Sequence, residues 1–321
     1  MDRSGADFNR VIDMMKDRLG AVPIPIQIPI GQGELFNGMI DLIKMKAVTF
    51  REDGIGVTWD EGDIPLDMRH SASMWREKLL ESVSDFNDSL LEKFLDGEDI
   101  PEEEVMSALR QATLECRVTP TLCGSPFRYK GVQRLLDAVI NYLPSPLDVS
   151  AIKGIDPRKE TMASRQPDKN EPFAALAFKI VTDPYMGRLT YIRVYSGLLE
   201  TGGSVQNTNS QKKERVNRIL RMFANKREDL NRVEAGDIVA VIGLRKTRTG
   251  DSLCDPKQPI LFEKITFPTP VISVAVEAAN QAEEEKLSNA LVKLAEEDPT
   301  FQIKYDKESG QTLISGMGEL H

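Results

Sequence analysis

Histidine is nearly absent. Only His70 and His321 occur in 321 residues, far apart, so a histidine-based triad or a zinc site with histidine ligands is not expected. Cysteine is scarce as well: Cys116, Cys123 and Cys254 lack metal-ligand spacing and give an odd count. They read as reduced, buried thiols of a cytosolic protein. No run of about 18 apolar residues offers a membrane helix. Met1-Asp2-Arg3-Ser4-Gly5 has no apolar h-region, so no leader is expected. The phosphate-binding pattern G-x-x-x-x-G-K-[ST] does not occur, and no internal repeat or low-complexity tract stands out.

What is present is ordinary globular material, 40% apolar and 28% charged, enough for two or three domains. The net charge of −9 hides an asymmetry. Residues 52–104 carry 17 acidic against 4 basic side chains, a net of −13, and residues 179–248 carry 14 basic against 7 acidic, a net of +7. The first segment repels polyanions and the second attracts them.

Apolar spacing predicts a helix over 6–19 (Phe8, Val11, Ile12, Met15, Leu19) ended by Gly20. The proline-punctuated alternation Val22–Ile30 predicts an edge strand or extended crossing. Short strands follow near 38–43, 47–50 and 54–56. One long helix is predicted over 67–95, then a second opened by Pro101 with three glutamates in its first turn. A strand over 118–123 runs through a Gly124-Ser125 loop into a helix with Leu135, Leu136, Val139, Ile140 and Leu143 as its apolar face, stopped at Pro144. The Pro- and Gly-rich stretch 144–170 reads as a linker. Short strands then predict a β-barrel, in which 211–223 fits helix or strand equally. After Pro268 and Pro270, the pattern is strand 271–276, helix 281–297, strand 301–305 and strand 312–315. That β-α-β-β run is part of a ferredoxin-like domain.

Read together, several stretches resemble the elongation factor G family of translational GTPases. They include Pro25-Ile-Gln-Ile-Pro-Ile-Gly31, Lys130-Gly-Val-Gln133, Tyr142-Leu-Pro-Ser-Pro-Leu-Asp148 and Arg193-Val-Tyr-Ser-Gly197. Others are Ala224-Asn-Lys-Arg-Glu228, Gly250-Asp-Ser-Leu-Cys-Asp255, Pro270–Glu277 and Gly316-Met-Gly-Glu-Leu-His321. The resemblance covers nearly the whole chain. It implies a multi-domain α/β plus β-barrel protein: the C-terminal part of a P-loop GTPase domain (1–20 and 106–146), an acidic α+β insert (21–105) and a linker (147–170). A second-domain barrel like that of elongation factor Tu (171–267) and a partial ferredoxin-like third domain (268–321) follow. It also implies an internal fragment, since Met1-Asp2 resembles the tail of the N-K-M-D guanine motif and the D-x-P-G-H switch with its catalytic histidine is missing.

The family's function is GTP-driven translocation of tRNA and mRNA on the ribosome. A recycling paralogue and a nucleotide-independent ribosome-binding adaptor are the alternatives. The resemblance implies GTP or GDP with Mg²⁺ as cofactors of the full protein and none bound to this chain, which is expected to be inactive, because phosphate-holding groups supply most of phosphoryl-transfer catalysis. Asp2 would pair with guanine N1–H and N2–H₂, and Ser125 would steady the loop. Pro126 stands where an alanine N–H usually meets guanine O6, and proline has no such donor. An unpaired oxygen there would cost about 1–3 kcal/mol, or less where the Phe127 N–H or a water substitutes. The barrel cations Lys212, Lys213, Arg215, Arg218 and Arg221 are expected on ribosomal RNA phosphates. Glu92, Asp96, Glu102, Glu103 and Glu104 are expected on the large-subunit stalk protein. A cytoplasmic monomer is implied, with no membrane partner.

Overall fold

The computed structural model describes residues 1–53, 56–224, 226–263 and 265–321, in two compact units, Met1–Pro144 and Ser145–His321. Gly54 and Ile55 of the strand expected at 54–56, and Asn225 of the matching stretch 224–228, lie outside the described residues.

In the first unit, α1 (Phe8–Leu19) starts where the Asp7 carboxylate accepts the Arg10 N–H at 3.0 Å. The proline-rich run forms β1 (Pro23–Pro25) and β2 (Gln27–Ile30), followed by β3 (Gly38–Asp41), β4 (Lys46–Asp53) and β5 (Gly56–Gly62). β2 is the edge of the antiparallel sheet β2-β3-β4-β5, where missing proline donors are tolerated. The expected long helix is instead two, α2 (Arg69–Ser84) and α3 (Asp88–Leu95). The reason is local: the Asn87 side chain accepts the Leu90 N–H at 3.1 Å and starts a new helix there. α4 (Glu102–Leu114), β6 (Thr119–Thr121) and α5 (Val132–Tyr142) complete the unit, β6 pairing in parallel with β1 and shorter than the strand expected over 118–123.

One core runs from Phe8 and Ile12 through Met39, Leu79 and Leu109 to Ala138 and Tyr142. Full burial of each such aliphatic side chain stabilises by about 1.5–3 kcal/mol. α4 crosses the boundary expected at 105/106 without a break. The expected insert and its flanks therefore share a single core. Cys123 is buried, and burial pushes its thiol up to about 12. Cys116, expected buried, is exposed.

The helix expected there forms as α5, but its apolar set does not enter the core. Leu136 is 57% and Ile140 75% exposed, and Leu135, Val139 and Leu143 are exposed too, whereas Ala138 and Tyr142 go inward. Ile140→Gln should therefore change urea stability by less than about 0.5 kcal/mol; a core residue would lose several times that.

The second unit opens with a hairpin, β7 (Ile152–Asp156) and β8 (Thr161–Arg165), inside the stretch expected as a linker. Ile152 and Ala163 pack on Ile260 and Phe262, and that apolar anchor outweighs the proline and glycine signals. Then come β9 (Ala174–Asp183), β10 (Gly187–Ser196), β11 (Leu198–Glu200), β12 (Ser204–Asn207), β13 (Lys212–Arg215) and β14 (Arg218–Phe223). β15 (Lys226–Leu230), β16 (Arg232–Glu234), β17 (Ile238–Ile242) and β18 (Ser252–Cys254) follow. The sheet order is β13-β12-β18-β9-β10-β17-β14-β15. β13 and β14 are consecutive halves of one bent run, so the sheet closes on itself at the Val216-Asn217 corner. Ile192, Val194, Val205, Val216, Ile219, Val241 and Leu253 fill the interior. The ambiguous stretch 211–223 is thus strand, with Glu214, Ile219 and Leu220 buried, Ile219 in the barrel interior and Leu220 against Leu189 and Ala240 on the other face, and the cations exposed.

The remainder is β19 (Ile272–Val276), α6 (Gln281–Glu297), β20 (Gln302–Tyr305) and β21 (Thr312–Gly316). The order β19-β21-β20 is a split β-α-β, as the sequence predicts. Leu291 is the buried residue of α6, and Glu297 accepts the Thr182 N–H of β9 at 2.5 Å.

Candidate guanine loop and nucleic-acid interface

The loop after β6 is pinched shut by Ser125 and Lys130, which exchange backbone hydrogen bonds at 2.9 and 3.0 Å. A Cβ on Gly124 would lie 2.7 Å from the Lys130 carbonyl, so glycine is required there. Pro126–Arg128 forms one 3₁₀ turn, with the Arg128 N–H donating to Ser125 O at 3.2 Å. Lys130 turns inward and donates to Phe36 O at 3.2 Å.

The Met1 nitrogen lies 2.7 Å from Gly124 O on this loop. Asp2 is thereby placed beside Ser125, 123 residues away in sequence, with its carboxylate 3.6 Å from the Arg128 guanidinium. The Ser125 hydroxyl is the largest influence holding the Asp2 carboxyl below its usual range. The Asp2 backbone N–H, the amino terminus and Arg128 add to it, against a partial desolvation. The approach falls short of a formed bond: Ser125 is fully buried, and its Oγ has no hydrogen-bond partner among the described residues. The structure thus brings Asp2, Ser125 and Pro126 together. It adds one residue that the sequence reading did not single out, Arg128, and leaves the Phe127 N–H available as the substitute donor. Arg128 faces Asp2, and Phe127, 92% exposed, has an N–H with no acceptor among the described residues.

The five barrel cations are not equivalent. Arg218 is bidentate to Asp229, at 2.9 and 2.8 Å, and Arg221 lies 3.5 Å from Glu228 on β15. Lys212, Lys213 and Arg215 are exposed and carry no ion pair among the described residues. A second basic group was missed: Arg245, Lys246 and Arg248, on the loop between β17 and β18. Three cations in four residues was the available signal. On the acidic side, Glu92, Asp96, Glu102 and Glu103 are exposed. Glu104 is engaged, both its oxygens 2.7 Å from Lys93, which ties α4 to α3.

No helix among the described residues is long and apolar enough to cross a membrane. Residues 172–256 match the family model described as elongation factor G domain 2, and residues 267–321 match Elongation Factor G, domain III. The chain is also similar to a protein from Thermus thermophilus known from its crystal structure. The TM-score is 0.77 at 28% identity, covering 99% of this chain and 44% of that one. This chain thus spans less than half the length of that protein. The barrel and the split β-α-β unit lie where the two matches fall, so these two parts of the chain are similar to domains 2 and III of elongation factor G.

Proposed function

We propose that this chain is the ribosome-docking, non-catalytic part of an elongation factor G that moves tRNA and mRNA through the ribosome in the cytoplasm. The observation that carries this reading is the pair of adjacent matches, domain 2 followed by domain III, in one chain. In this reading the first unit includes the C-terminal part of the GTPase domain. Asp2 and Ser125 form the guanine side of its pocket, and the free Phe127 N–H substitutes for the donor that Pro126 lacks. GTP would supply the energy of the cycle. Its phosphates and Mg²⁺ need a phosphate loop that this sequence does not contain. The barrel cations that carry no acidic partner among the described residues, Lys212, Lys213 and Arg215, contact ribosomal RNA, and the exposed acids Glu92, Asp96, Glu102 and Glu103 meet lysines of the stalk protein. Pro126 is a local departure that favours a paralogue with weakened guanine selectivity instead.

The test is co-sedimentation of the purified, monomeric chain with ribosomes, alongside titration with labelled GDP. Salt-sensitive pelleting without GDP binding is the expected result. Failure to pellet at low salt would overturn the docking role, and tight GDP binding would overturn the non-catalytic assignment.

A further inference from the structure

We propose that the loop Arg245–Arg248 is the phosphate-docking element of the second unit, and that a nucleic-acid backbone seated on it weakens the contact between barrel and α6. The inference rests on the ribosome-docking reading for its choice of RNA.

The loop backbone is braced by side chains from elsewhere in the unit. Glu214, itself buried, accepts the Lys246 N–H at 2.7 Å and the Thr247 hydroxyl at 2.6 Å. Arg188 donates to Arg245 O at 2.6 Å and to Thr247 O. Asp251 accepts the Arg248 N–H at 2.7 Å. Thr247 is thereby fully buried, while Arg245, Lys246 and Arg248 project outward with no ion pair among the described residues. They line a cleft of about 1010 Å³ with Lys212, Arg188 and, from α6, Glu296. Arg188 Nε and Thr249 Oγ1 are buried at this cleft without hydrogen-bond partners among the described residues.

Such a surface suits a ligand that offers only acceptors and repeated single negative charges, which describes a phosphodiester backbone. Arg218 and Arg221 suit it less, because Asp229 and Glu228 already neutralise them. Glu296 lies 3.6 Å from Arg188. A phosphate entering the cleft competes with that carboxylate, so the two interactions are linked reciprocally.

The test uses the full chain and a short fluorescent RNA hairpin in a salt series. The triple variant Arg245→Ala, Lys246→Ala, Arg248→Ala should lose about tenfold or more in affinity, and the salt slope should fall by about 2–3. Arg218→Ala with Arg221→Ala should change affinity by about twofold or less, and Glu296→Gln should raise it about threefold. The braces all use loop backbone or Thr247, so the triple variant should melt like the parent; if it does not, Lys246→Gln serves in its place, losing affinity if the loop docks phosphate and none if it does not. Unchanged binding by the variant, or poly-glutamate competing as well as RNA, would overturn the phosphate site. An inert Glu296→Gln would overturn the linkage. Pelleting with ribosomes but no RNA binding sinks this inference alone, whereas loop-dependent RNA binding without pelleting sinks only the docking role.

Discussion

Gly243→Ala is expected to unfold the barrel. Gly243 directly follows β17 at φ +121, a conformation essentially reserved for glycine. An added Cβ would sit 2.4 Å from Arg215 O and 2.9 Å from Asn217 N. Both atoms are backbone, and they flank the Val216-Asn217 corner through which the sheet closes. The Asn217 N–H is already committed to Ile242 O at 2.8 Å, so relief would break closure. A loss of about 4 kcal/mol or more follows from conformational strain plus overpacking. Gly202→Ala is the control: φ is +86, but nothing lies within 4 Å, and the expected cost is only about 1 kcal/mol. Urea unfolding followed by far-UV circular dichroism compares the two. Equal losses would show that the corner is not what holds the barrel closed.

The second large effect is expected at Arg76 on α2. Its guanidinium donates to Leu42 O at 2.9 Å, Ile43 O at 3.2 Å and Ile100 O at 3.3 Å. It thereby ties the chain beyond β3 and the approach to α4 onto one helix. Burial lowers its pKa, while Asp99, Asp41 and Glu102 oppose the shift. Arg76→Ala would leave three carbonyls without this donor, at a cost of about 3 kcal/mol to the first unit. Arg76→Lys should recover little, since an ammonium cannot span the same fork. Both tryptophans, Trp59 and Trp75, lie in the first unit, so intrinsic fluorescence reports its unfolding separately. Wild-type stability of Arg76→Ala would remove the clamp from the account.

Much of this architecture is legible in sequence because the signals are local. The periodicity of α6, the strand alternation after Pro270 and the edge character of the 22–30 run depend on residues within one element. Motif order after residue 171 resembles the elongation factor G family, whose domain 2 and domain III models match 172–256 and 267–321. Where the reading failed, a distant partner or a competing local bond decided. Asn87 split the expected helix at 67–95 by accepting the Leu90 N–H with its side chain. The hairpin at 152–165 forms because Ile260 and Phe262, about a hundred residues on, offer an apolar seat.

The candidate sites divide in the same way. Sequence alone determined that cations gather in 179–248, that acids gather in 52–104, and that Gly124-Ser125-Pro126 forms a strand-to-helix loop. It could not say which charges are free. Charge neutralisation depends on cross-strand and interhelical neighbours, so only the tertiary structure set Arg218 against Asp229 and Lys93 against Glu104. The fold likewise carried Asp2 to Ser125 and braced Arg245–Arg248 with Glu214 and Arg188. The physical reason is that composition fixes how much charge a segment carries, whereas pairing within a few ångströms fixes how much of it a partner can meet.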